Sequence, residues 1–142
     1  MLKEKEKVLL RHLRENSRKS LAKISSETDI PVSTLFDSLK KMESSIIVKH
    51  CSILDFTKMG FGFRSNMVIK SRKKKELRAW LLQHPNINLF YSLIDFYDFF
   101  VQCIFRDLKE LTKFREELEN FEIESLKEHL ITEELKKEGF QL

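Results

Sequence analysis

Glycine, proline and cysteine are scarce, with three, two and two among 142 residues. So few glycines leave no glycine-rich loop of the kind that cradles nucleotide phosphates. Cys51 and Cys103 lie far apart with no Cys or His partner at metal-ligand spacing, which argues against a disulfide framework or a zinc site; both are expected to be buried or idle thiols. No stretch approaches the roughly 20 consecutive apolar residues of a bilayer-spanning helix, and the opening Met-Leu-Lys-Glu-Lys-Glu-Lys lacks the apolar centre of a signal peptide. A cytoplasmic protein without a membrane partner is expected. His12, His50, His84 and His129 are scattered, and no Ser/His/Asp or Cys/His set falls at a spacing that would assemble a catalytic centre. No catalytic residue, metal ligand or cofactor is therefore expected.

What is present is an ordinary globular balance, 42% apolar and 34% charged, enough for one domain or two small ones. The net charge of +4 is unevenly spread. Residues 1–60 carry 12 basic and 8 acidic side chains, residues 61–106 carry 8 and 3, and residues 107–142 carry 6 and 11. A locally basic first segment attracts polyanions and supports nucleic acid weakly; the acidic end offers no such surface. The run Arg72-Lys73-Lys74-Lys75 reads more readily as a solvated helix start than as a phosphate contact.

Residues 20–43 read as two short helices joined by a tight turn. Pro31 biases Ile30 away from helical geometry, and Ser33 is placed to cap the next helix. Along that helix Leu35, Leu39 and Met42 recur at i, i+4 and i+7 and share a buried stripe, while Thr34, Asp37 and Lys41 face the other way. Upstream, Val8, Leu9 and Leu13 mark a first helix over roughly residues 3–16, and Leu21, Ile24 and the stem of Lys23 begin the second. Three helices then enclose a small core. Such a unit reads DNA or docks proteins, and local spacing does not separate the two.

The rest of the chain alternates differently. Ile46 to Phe56 is β-branched and apolar and suggests a short wing or connecting strand, followed by a turn at Thr57-Lys58-Met59-Gly60; domains are expected over 1–55 and 61–142. Phe63, Ser65, Met67 and Ile69 alternate with Arg64, Asn66, Val68 and Lys70 as a strand with one buried face. Leu77, Trp80, Leu81 and His84 line a helix ended by Pro85. Leu89 to Phe105 reads as two central strands joined by a hairpin turn at Asp95-Phe96-Tyr97-Asp98, and Asp107 caps a helix carrying Leu111, Phe114, Leu118 and Phe121. Ile123 to Leu135 fits a helix face or a closing strand, and the strand is preferred. The order βαββαβ is that of a ferredoxin-like sheet with both helices on one side, an α+β fold whose bare aromatic face predicts a homodimer.

The helix-turn-helix with Pro31-Val-Ser-Thr-Leu35 and Leu39-Lys-Lys-Met-Glu43, the linker with Leu54-Asp55 and Met59-Gly60, and the hairpin with Tyr97-Asp98 together resemble the Lrp/AsnC (feast/famine) transcription regulators over nearly the whole chain. The resemblance implies a winged helix-turn-helix followed by a ligand-sensing α/β sandwich domain, assembled as dimers or larger rings on double-stranded DNA, and it also makes the last segment a strand. On this reading Ser33, Thr34, Asp37, Ser38 and Lys41 face the major groove, Lys19, Lys40 and Lys49 contact phosphates, and Asp95 and Asp98 lie near the pocket of an amino-acid-like effector. Asp37 and Ser38 stand where the family commonly has two arginines, so a carboxylate occupies the reading surface; Ile46, His50 and Asp95 replace frequent glycines. Two rival readings are a protein-interaction or ligand-sensing module that does not bind DNA, and an enzyme similar to the haem-precursor decarboxylases of like architecture.

Overall fold

The computed structural model describes residues 2–140, which form two compact units: one runs to Ile53 and takes in the tail from Lys136, the other is Leu54–Leu135. In the first, helix α1 is Glu4–Glu15, α2 is Leu21–Thr28 and α3 is Val32–Glu43. The Glu6 carboxylate accepts the Lys3 N–H at 2.8 Å and so closes the start of α1, and the Ser20 hydroxyl accepts the Lys23 N–H to cap α2. Asp29 ends α2 in the left-handed region at φ 57°, a conformation that aspartate tolerates better than most side chains. The chain then re-enters a helix directly after Pro31, whose φ of −56° suits a helix entrance.

Ser33 is not the cap that the sequence suggests: α3 already starts at Val32, Ser33 lies inside its first turn, and no side chain caps it. The core of the unit is Leu9, Ile24, Ile30, Leu35 and Met42, with Leu13, Leu21 and Leu39 packed around it. Lys23 is exposed and contributes no stem to that core.

The strand expected over Ile46 to Phe56 is not formed. Residues 47–55 carry no regular structure, and no strand precedes Phe63 among the described residues, so the helices are not followed by a paired wing. A β-branched run supplies only propensity; without a return strand to take its backbone hydrogen bonds it does not become a ladder.

The second unit is a four-stranded antiparallel sheet ordered β2-β3-β1-β4, from β1 Phe63–Ser71, β2 Ile87–Ser92, β3 Phe99–Phe105 and β4 Ile123–Leu130. Helices α4, Lys74–Gln83, and α5, Leu108–Leu118, cover one face. The Asp107 carboxylate caps α5 by accepting the Glu110 N–H at 2.8 Å. Leu77 and Leu81 of α4 and Leu111, Phe114 and Leu118 of α5 pack on Met67, Ile69, Phe99, Val101, Cys103 and Phe105. Burial pushes the Cys103 thiol up to about 12, so it stays protonated and inert.

The two central strands are β1 and β3, not the hairpin pair β2 and β3 expected from the sequence. β2 is an edge strand, because the β1-α4-β2 crossover leaves room for β3 between β1 and β2, as the β3-α5-β4 crossover does for β1 between β3 and β4. On the face away from the helices, Val68, Phe100 and Tyr91 stand side by side across three strands, with the Tyr91 and Phe100 rings 6.0 Å apart. Beside them runs a row of amides: Asn88 donates to Gln102 at 2.8 Å, and Gln102 donates to Asn66 at 3.2 Å.

Candidate nucleic-acid interface

Helix α3 is held by its buried stripe, Leu35 and Met42 each 1% exposed, which fixes what it presents outward. At about 100° per residue, Ser33 and Asp37 lie opposite the stripe; Thr34 and Lys41 flank them on one side and Phe36 and Lys40 on the other. Ser33, Phe36, Asp37, Lys40 and Lys41 are exposed, while Thr34 and Ser38 are half-buried. Val32, in the first turn, is 45% exposed and Phe36 is 48% exposed.

The cations differ in what they can offer. Lys41 Nζ lies 3.0 Å from Oε1 of Glu6, a buried carboxylate in the first turn of α1. The Lys3 N–H, followed by the Lys41 ammonium, holds the Glu6 carboxyl below its ordinary range against the opposing effect of burial, so Glu6 is ionised at neutral pH. Lys19 is half-buried, pairs with Glu27 and lies 3.0 Å from Nδ1 of His12, so its charge is largely spent within the unit. Lys40 lies over the Phe36 ring, 5.1 Å from its centroid, with no carboxylate at ion-pair distance among the described residues. Lys49 is exposed on the irregular segment after α3.

The structure thus brings Ser33, Asp37, Lys40 and Lys41 onto one surface, leaves Thr34 and Ser38 at its edges, and gives Lys19 a local partner. Sequence reasoning passed over Phe36 and Val32. The signal was present: Phe36 is one residue out of register with the Leu35, Leu39, Met42 stripe and so cannot reach the core.

In the sheet unit, the Asp95 carboxylate accepts the Tyr97 N–H at 2.9 Å and folds the hairpin turn. Asp98 accepts the Ser71 N–H at 3.0 Å and pairs with Lys74 at 2.9 Å. Burial raises the Asp98 carboxyl, but those two partners outweigh it and leave it below its ordinary value. Both carboxylates already have structural work in the hairpin. Three cations of the basic run are likewise engaged: Arg72 with Glu124, Lys73 with Glu122 and Lys74 with Asp98. The acidic end of the chain thus neutralises two of these cations and the hairpin the third. Among the described residues no group of three His, Cys, Asp or Glu side chains could hold a metal ion, and no helix is long and apolar enough to cross a membrane.

Three helices with an outward-facing third helix, followed by a ferredoxin-like sheet, define a two-part helix-turn-helix architecture. No family model matches the chain. An uncharacterised HTH-type transcriptional regulator of Pyrococcus abyssi is 25% identical over 146 aligned positions, spanning 100% of this chain and 99% of that protein. The HTH-type transcriptional regulator FL11 of Pyrococcus horikoshii is 29% identical over 116, covering 80% of this chain and 77% of its own length. Among solved structures, a transcriptional regulator of Neisseria meningitidis in complex with L-Met superposes with a TM-score of 0.88 at 19% identity, over 96% of this chain and 94% of that one. An AsnC family regulator from Agrobacterium tumefaciens does so at 0.85 and 17%, over 96% and 94%. The chain is thus a relative of helix-turn-helix transcriptional regulators and has the Lrp/AsnC fold.

Proposed function

We infer that this protein is a sequence-specific DNA-binding transcriptional regulator of the Lrp/AsnC type, in which α3 enters the major groove. The observation that carries it is the outward surface of α3. Ser33 and Asp37 offer short polar groups suited to base edges, and Lys40 stands beside them with its charge unspent. Lys40 and Lys49 contact flanking phosphates, Ser33, Thr34, Asp37 and Ser38 face bases, and Lys41, tied to Glu6, sets the angle of α3 against α1 as well as bordering the groove. Lys19 is left out of the phosphate contacts in this reading, since Glu27 already neutralises it.

The helical unit acts as the DNA-binding domain and the sheet unit, which ends at Leu135 rather than at residue 142, as the domain for dimerisation and effector response. The Tyr91, Phe100 and Val68 face of the sheet supports a homodimer or higher homo-oligomer, because three adjacent apolar side chains on an uncovered face gain by burial against a second copy. The L-Met complex of the Neisseria meningitidis regulator supports an amino-acid-like effector. In this chain Asp95 and Asp98 shape the hairpin against which such a ligand would rest. The activity is regulatory rather than enzymatic, and the place of work is the cytoplasm, with the DNA.

One observation favours a second reading. Asp37 puts a carboxylate in the middle of the reading surface, where phosphates are repelled and a protein partner is not. Titration of random-sequence duplexes at low salt separates the two: a DNA reader retards every duplex weakly, through phosphates alone, and loses them as salt rises. No retardation at low salt leaves the protein-docking module.

A further inference from the structure

Phe36 is the anomaly of the helical unit. A phenyl ring, 48% exposed, stands in the second turn of a helix that buries Leu35 and Met42 almost completely. It is not a surplus core residue, since its direction from the helix axis differs from that of Leu35 by about 100°. Val32 stands one turn before it on the same flank and is also open to solvent, and the Lys40 ammonium lies over the ring one turn after it. The flank therefore presents an apolar surface in the first half of the helix, with a cation at its C-terminal end.

The first turns of a recognition helix are those that meet base edges. Only one base carries an apolar group there, the C5-methyl of thymine, and an aromatic or aliphatic side chain is its complement. The cation fits the same partner, because a phosphate lies within a long side chain's reach of the groove edge.

Building on the DNA-reading role of α3, we propose that Phe36 is a specificity-determining residue whose ring packs on a thymine methyl in the major groove, with Val32 closing the contact and Lys40 anchoring the adjacent phosphate. The three side chains form one stripe, at i, i+4 and i+8, so a single placement of the helix serves all three. Asp37 then acts beside an apolar contact, where it discriminates by accepting from a cytosine amino group while Phe36 selects thymine.

The test uses the full-length protein and a duplex enriched from a random pool. Each thymine is replaced in turn by deoxyuridine, which deletes the methyl and leaves the hydrogen-bonding edge intact. At one position per half-site, affinity for the wild type should fall about fourfold, the factor carried by burying one methyl group. Phe36→Ala should bind the thymine and deoxyuridine duplexes equally at that position, and Phe36→Leu should keep part of the preference. A wild type indifferent to every thymine-to-deoxyuridine change overturns the proposal without reference to any variant, and so does a Phe36→Ala protein that keeps the preference. Failure of the DNA-reading role itself is a different result: no duplex is retained at low salt, and no pool can be enriched.

Discussion

Removing Lys40 should change how binding depends on salt, and removing Lys19 should not. Each phosphate contact releases condensed counterions, so the slope of log affinity against log salt is about −0.9 per contact on duplex DNA. Lys40→Ala should flatten it by about 0.9 for each copy engaged, which between 50 and 200 mM salt amounts to about a 3.5-fold smaller loss of affinity per contact. The structure makes the contrast with Lys19. The Lys40 ammonium lies over a ring on the solvent side of α3, whereas that of Lys19 is paired with Glu27 within the unit. Lys19→Ala should therefore leave the slope nearly unchanged and lower the stability of the helical unit instead. Fluorescence anisotropy of a labelled duplex at four or five salt concentrations, for wild type and both variants, gives the slopes directly. Equal slopes for Lys40→Ala and wild type, or a flattening by Lys19→Ala as large as that by Lys40→Ala, would refute the assignment of charges on this surface.

Leu35→Ala should cost about 3 kcal/mol of unfolding free energy, as do other fully buried leucine truncations, read from urea titration; a loss under about 1 kcal/mol would mean that α3 is not anchored by its apolar stripe. Asp98 has a carboxyl held below its ordinary value in the folded chain, so its contribution is complete above the unfolded carboxylate range and is lost as pH falls through the lowered folded value. Asp98→Asn should be less stable than wild type at pH 7, with the gap closing below about pH 4; a gap unchanged at low pH would contradict the Ser71 and Lys74 pairing. Phe100→Glu should convert a dimer into a monomer in sedimentation experiments, and a variant that still sediments as a dimer would move the interface off this face.

Much of the sheet unit was legible because its signals are local and repeated. The alternation of Ser65, Met67 and Ile69 with Asn66, Val68 and Lys70 gave β1 its buried face, and Asp107 marked the start of α5 by a capping group that the structure uses. The hairpin at residues 95–98 followed from two aspartates that both bond to backbone N–H groups. What the sequence did not carry was partnership. The order β2-β3-β1-β4 depends on which strands meet in space, and residues 47–55 resemble a strand in composition while lacking one to pair with. The same limit governed the reading surface. Lys19 and Lys41 read as cations available to a ligand, because their partners, Glu27 and Glu6, lie 8 and 35 positions away. Phe36 was passed over for the opposite reason: aromatic residues default to core, and only the fixed rotation of α3 shows that this one points outward.

Amide chemical shifts of the full-length protein, followed while duplex DNA is added at low salt, test the outward face of α3 most directly. The largest changes should fall at Val32, Ser33, Phe36, Asp37 and Lys40. Changes centred on the sheet, or none at any duplex concentration, would contradict it.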